Sequence, residues 1–129
     1  MTEGATGGRI RVMVVHGHPV VSKGLADCLD CEPDLEVVGT APTCGLALDM
    51  AAELRPDVVL IGRSTPWTGG LEATRHLIDA QPDLSVAILS GSASHEFMAE
   101  ALQSGAIGYL HLDTPPSEIA RAVRRLLME

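Results

Sequence analysis

Positive charge is scarce in this chain. Nine Lys and Arg stand against seventeen Asp and Glu, a formal net charge of −8 over 129 residues, which argues against a domain that grips nucleic acid through its own field. Any DNA contact then belongs to something else. Long apolar runs are also missing: none approaches the roughly 18 to 20 residues that a bilayer crossing needs, and Met1 to Gly8 lacks the hydrophobic stretch of a signal peptide. The expectation is a soluble, cytoplasmic protein with no membrane contact. Cysteine is limited to three, an odd number that makes no disulfide framework. Cys28 and Cys31 form a C-x-x-C, yet they fall late in an apolar-periodic segment rather than opening a helix after a strand. They are read as small buried hydrophobes in preference to a redox or metal pair.

What is present is one domain's worth of chain. A mass of 13.6 kDa and 46% hydrophobic residues suit a single globular core. Residues 1–8 read as a flexible tail and 9–129 as the folded domain. Short Val-, Ile- and Leu-rich runs alternate with segments of helical period, the pattern of βα units feeding a parallel sheet. Strands are expected at Arg9 to Val15, Leu35 to Ala41, Asp57 to Ile61, Leu84 to Leu89 and Gly108 to His111. VMVV, VVLI and VAIL are continuous apolar runs, as strands covered on both faces require.

Five helices are expected between and after them. Val21, Leu25 and Cys28 mark the first, and Ala47, Met50, Ala51 and Leu54 the second. Leu71, Thr74 and Ile78 mark the third, Met98, Ala101 and Leu102 the fourth, and Ile119, Val123, Leu126 and Leu127 the fifth. Pro19 opens the first helix, Ser94 and Thr114 read as N-caps of the last two, and Gly105 as a left-handed cap after the fourth. The arrangement is an α/β, flavodoxin-like (βα)5 doubly wound sandwich with sheet order 2-1-3-4-5. Its functional crevice lies outside the carboxyl ends of strands one and three.

The stretches IRVMVV followed by His18-Pro19, EPDLEVVG, LRPDVVLI, GGLEATR, and SGAIGYL followed by Pro115-Pro116 resemble the receiver domain of bacterial response regulators, in particular the NarL/FixJ (LuxR-type) branch. The resemblance implies a site in which an acidic pair ending strand one and a phosphoacceptor Asp ending strand three hold Mg2+. A Ser or Thr after strand four and a Lys after strand five complete it. Matched motif to motif, the acidic pair falls on His16 and Gly17, the phosphoacceptor on Gly62, the hydroxyl on Ser90 and the Lys on Leu112.

Only the hydroxyl survives. Mg2+ wants oxygen ligands in near-octahedral array, and neither imidazole nor glycine supplies one. Aspartyl phosphate needs a carboxylate nucleophile, and Gly62 has no side chain. The expectation is a degenerate phosphorylation pocket with Mg2+ binding lost and no catalytic residues. A displaced phosphosite at Asp57, Asp113 or Glu72 is the alternative.

Ser90 and Tyr109 match the family's switch pair. Tyr109 equally suits simple packing at the sheet edge. His16, His18, His95 and His111 fall at or near strand carboxyl ends without metal-site spacing, so no metal site is assigned. His16 stands in an acidic position and suits a pH or ligand sensor. The loop with Arg63, Ser64 and the sole Trp, Trp67, reads as a cover over the pocket or as a ligand or partner surface. Arg121, Arg124 and Arg125 read as a solvated helix face or as part of a homodimer contact, because receivers of this family often self-associate through the fourth helix, fifth strand and fifth helix, or through the first and fifth helices.

Function is therefore expected to be regulatory: an atypical, phosphorylation-independent receiver acting through dimerisation on a DNA-binding helix-turn-helix domain beyond Glu129. The alternative is a sensor for a small-molecule ligand in the vacated pocket. An enzyme using Ser64, Ser90 or Ser92 with His16 has no nucleophile-elbow motif to support it.

Overall fold

The protein is described by a computed structural model covering residues 9–62, 67–90, 103, 105, 108–111 and 115–127, apart from the side chains of 67–73, 90, 108–111, 116 and 126. The apolar runs form β1 (Ile10–Val15), β2 (Leu35–Ala41), β3 (Val58–Gly62), β4 (Ser85–Ser90) and β5 (Gly108–His111). All pair in parallel, in the order β2-β1-β3-β4-β5. This is the expected doubly wound order. Three strands start one residue later than expected, at Ile10, Val58 and Ser85; Asp57 N–H donates to the Arg11 carbonyl at 2.8 Å and Ser85 N–H to the Asp57 carbonyl at 3.1 Å at this edge of the sheet. Two strands run one residue further, so Gly62 ends β3 and Ser90 ends β4.

Because side chains alternate across a strand, each strand feeds two cores. Met13, Val15, Val59, Ile61, Val86 and Ile88 face one side and meet Ala47, Ala51 and Leu77, from α2 (Cys44–Leu54) and α3 (Trp67–Ala80). Val12, Val14, Val58, Leu60, Ala87 and Leu89 face the other and meet Leu25, Leu29, Ile119 and Val123. Those four come from α1 (Pro19–Asp30) and the C-terminal helix (Pro116–Leu127).

Local chemistry sets several boundaries. Pro19 is the first residue of α1, where its missing N–H costs nothing. Thr43 caps α2 through its hydroxyl, which accepts from Leu46 N–H at 3.2 Å. Gly105 sits at φ +111°, in line with a glycine placed for a backbone other residues avoid. The fourth helix expected from Ser94, Met98, Ala101 and Leu102, and the cap at Thr114, lie outside the described residues.

Two expectations are corrected. The inward stripe of α1 is Ser22, Leu25, Ala26 and Leu29, not Val21, Leu25 and Cys28. Cys28 and Cys31 are exposed rather than buried. The reason is angular: Leu29 takes the core position one residue on, which turns Cys28 to solvent. Arg124 also departs from the solvated-face reading. Its guanidinium forks onto the α1–β2 connection, with Nη2 donating to Asp34 Oδ1 at 2.7 Å and to Glu32 Oε1, and Nε to Asp34 Oδ2. Arg121 and Arg125 remain exposed.

Candidate functional site at the carboxyl edge of the sheet

Parallel pairing of Val15 with Ile61 brings the residue after β1, His16, beside the last residue of β3, Gly62. The pairing of Gly62 with Leu89 sets the backbone of Ser90 one step along at the same edge. The sequence-assigned pocket is therefore assembled at His16, Gly62 and the Ser90 backbone. Gly17 follows in an exposed bend. Leu112, Arg63 and Ser64 lie outside the described residues, as do the side chains of Ser90, Tyr109 and Trp67. By backbone, Tyr109 pairs with Ile88 on β5 and Trp67 opens α3.

His16 is the central group. It is 3% exposed, and its Nδ1 accepts the His18 N–H at 3.0 Å. That bond requires an unprotonated Nδ1 and so selects the neutral ring with its proton on Nε2. Burial, together with repulsion from His18, lowers its pKa below the ordinary imidazole value, in keeping with that geometry.

The ring packs against Gly62, with Cδ2 nearest. A Cβ placed on Gly62 would stand 3.0 Å from both Cγ and Nε2 of His16 and closer still to Cδ2. The space above the end of β3 is thus filled by imidazole rather than left vacant. Asp57, the displaced-phosphosite candidate, sits at the opposite edge, where its Oδ2 accepts the Arg11 N–H at 3.0 Å. Asp113 and the side chain of Glu72 are outside the described residues.

Sequence reasoning missed one feature. A cavity of about 400 Å3 opens between the first turns of α1 and the end of β2, bordered by His16, Pro19, Ser22, Lys23, Thr40 and Pro42. Ser22 is 7% exposed; Lys23 pairs with Asp27 at 3.2 Å on the rim. No motif marks these residues, because the cavity is lined by α1 and by the residues around the end of β2, which are distant in sequence. Among the described residues no group of three or more His, Cys, Asp or Glu is arranged to hold a metal ion. Nor is any described helix long and apolar enough to cross a membrane.

Comparison with known proteins follows the same lines. Residues 12–124 match the response regulator receiver domain. The chain is 38% identical over 115 residues to the DNA-binding transcriptional activator DevR/DosR of Mycobacterium tuberculosis, covering 89% of this chain and 53% of that protein. It is 38% identical over 117 residues to the response regulator GacA of Pseudomonas aeruginosa, covering 91% of this chain and 55% of that one. The chain therefore spans about half the length of the curated relatives it matches.

Among solved structures, a LuxR-family two-component response regulator from Aurantimonas sp. superposes with a TM-score of 0.86 at 30% identity, covering 93% of this chain and 86% of that one. The signal receiver domain assigned to NarL of Mycobacterium tuberculosis gives 0.87 at 28% identity, covering 93% and 97%. With the βα order, the strand pairing and the matched span in agreement, the chain belongs to the response regulator receiver domain family.

Proposed function

We propose that this chain is an atypical receiver that works without aspartyl phosphate, and that it sets the state of a DNA-binding output domain through homodimerisation in the cytoplasm. The observation that carries the reading is the seating of His16 on Gly62, which puts an uncharged ring where the family keeps a carboxylate. The donor set does not fit Mg2+: His16 already accepts a backbone N–H at Nδ1, and Gly17 and Gly62 bring no oxygen side chain. No catalysis is required of the domain. Its kinship with a protein described as a DNA-binding transcriptional activator supports the output assigned to it.

Incubation with acetyl phosphate and Mg2+ followed by intact-mass measurement tests the first part. The expected result is an unchanged mass; a stable adduct of about 80 Da, one phosphoryl group, overturns it. Sedimentation tests the second part, which fails if only a 13.6 kDa species is present at about 50 μM, a concentration that would populate a dimer of micromolar affinity.

A second reading, a sensor of a small-molecule ligand, is favoured by the cavity beside His16. Since imidazole fills the space over Gly62, the ligand of that reading belongs between α1 and β2. Ligand-dependent melting shifts separate a sensor from a static dimerisation module.

A further inference from the structure

Ser22 interrupts an otherwise apolar stripe. Leu25, Ala26 and Leu29 share the inward side of α1 with it, yet at position 22, only 7% exposed, the chain buries a hydroxyl. The Ser22 N–H donates to the His18 carbonyl at 2.9 Å, whereas among the described residues nothing hydrogen-bonds to Oγ. Burying a hydroxyl without a partner is costly, and such a group in a native fold calls for an explanation. Ser22 borders the cavity of about 400 Å3 between α1 and β2, a volume in the range of small-molecule sites.

The surroundings favour one negative charge. Pro19, the first residue of α1, lines the same cavity. His18 makes no side-chain cap bond and the first turn carries no acidic residue, so no side chain at the start of α1 answers the positive end of the helix dipole. Lys23 on the rim adds a full positive charge. Its pairing with Asp27, with side chains 79% and 66% exposed, is of the weak i,i+4 surface kind, and the ammonium can turn from it to a ligand at little cost. Asp27 borders the cavity as well and repels a second negative charge. Ala26, Ala41 and Pro42 supply apolar wall.

We propose that this cavity is a site for a small organic monocarboxylate, its single charge held by the Ser22 hydroxyl, the Lys23 ammonium and the start of α1, and its apolar body laid against Ala26, Ala41 and Pro42. The inference rests on the ligand-sensor reading and names the class of ligand for it. An uncharged amide gives up the attraction of Lys23 and the helix end, a cation meets both as like charge, and the dianion of a phosphate monoester meets Asp27. Acetate keeps the charge and lacks the body.

The test titrates the isotope-labelled 129-residue chain with benzoate at constant ionic strength and about pH 7.5, where a carboxylate is fully ionised and a phosphate monoester is largely dianionic. Backbone amide shifts are the readout. Saturable shifts are expected in residues 16–27 and 40–43, with a Kd of about 1 mM. Benzamide, benzylammonium, phenyl phosphate and acetate are each expected to bind at least about fivefold more weakly. Ser22→Ala removes a hydroxyl that bonds to nothing in the free chain and leaves its melting temperature no lower, yet it weakens benzoate about fivefold. Lys23→Gln does the same through the lost charge, and Arg75→Gln, an exposed cation of α3, changes nothing. The proposal is overturned if no saturable shift appears in those residues by about 20 mM, well above the expected Kd, if benzamide binds as well as benzoate, or if neither Ser22→Ala nor Lys23→Gln weakens binding. Sedimentation with benzoate separates this result from the sensor reading beneath it. Binding that leaves assembly unchanged upholds the carboxylate site and ends the sensor reading, whereas benzamide that alone binds and shifts assembly keeps a sensor and overturns the carboxylate.

Discussion

His16 and Gly62 are a complementary pair: the imidazole rests where any side chain on residue 62 would begin, within 3.0 Å of a Cβ built there at both Cγ and Nε2. Neither residue is understood alone. No side chain could be placed at position 62 without the ring moving, and the ring as it stands accepts the His18 N–H. The imidazole at one strand end and the bare glycine at its neighbour therefore form one steric arrangement.

That coupling is measurable. Gly62→Ala forces a methyl group onto the ring and is expected to cost about 1–3 kcal/mol, as overpacking in a filled core does. In the His16→Ala background the same change is expected to cost less than about 0.5 kcal/mol, so a double-mutant cycle from urea denaturation returns a coupling above about 0.5 kcal/mol. Additive costs would show that the ring is not what keeps position 62 bare.

The neutral state of His16 makes stability pH-dependent on the acid side of neutrality. Its folded pKa is depressed, by burial first and by His18 second, so the unfolded chain takes up the proton first. Its contribution is complete above about pH 6.5, the unfolded value, and is lost as pH falls from there through the depressed folded value. His16→Asn, which keeps an acceptor for His18 N–H but cannot titrate, is expected to flatten the fall in melting temperature across that window.

A second, lower window belongs to Asp34, whose pKa is held down chiefly by its hydrogen bond to Arg124. The depressed carboxylate contributes stability above its unfolded value of about 4, and that contribution is lost as pH falls through the folded value. Arg124→Gln is expected to lower the melting temperature at neutral pH and to reduce the acid-side slope. Arg124→Lys recovers only part, because an ammonium cannot fork onto Asp34 and Glu32 together.

The corrected stripe of α1 separates two adjacent side chains. Leu29 is fully buried, and Leu29→Ala is expected to cost about 2–5 kcal/mol. Cys28→Ser, on the exposed side, is expected to stay within about 0.5 kcal/mol. Chemical denaturation of the two variants distinguishes the faces.

These positions also show where the sequence was legible. The continuous runs VMVV, VVLI and VAIL announce strands covered on both faces, and Pro19 and Gly105 mark a helix start and a special backbone turn, because each signal is local. Strand order followed from the βα alternation. The first helix misled because Ser22, a hydroxyl residue, occupies an inward position, which made the 21-25-28 spacing look like the apolar face. The residue types at positions 16, 17 and 62 were visible, but the way they fit together was not. That His16 covers Gly62 depends on β1 pairing beside β3 with Val15 opposite Ile61, a contact across more than forty residues that no local pattern carries. The Arg124 fork and the cavity beside α1 were hidden for the same reason.

The Arg124 fork joins residue 124 to residues 32 and 34, across 92 and 90 positions of the chain. During synthesis, Glu32 and Asp34 leave the ribosome some ninety residues before their counter-charge exists, so the early βα units must mature with two neighbouring carboxylates repelling each other. The clasp closes last. A nascent chain released short of the final helix would lack this charged fastening, together with the cover that Ile119 and Val123 give the sheet.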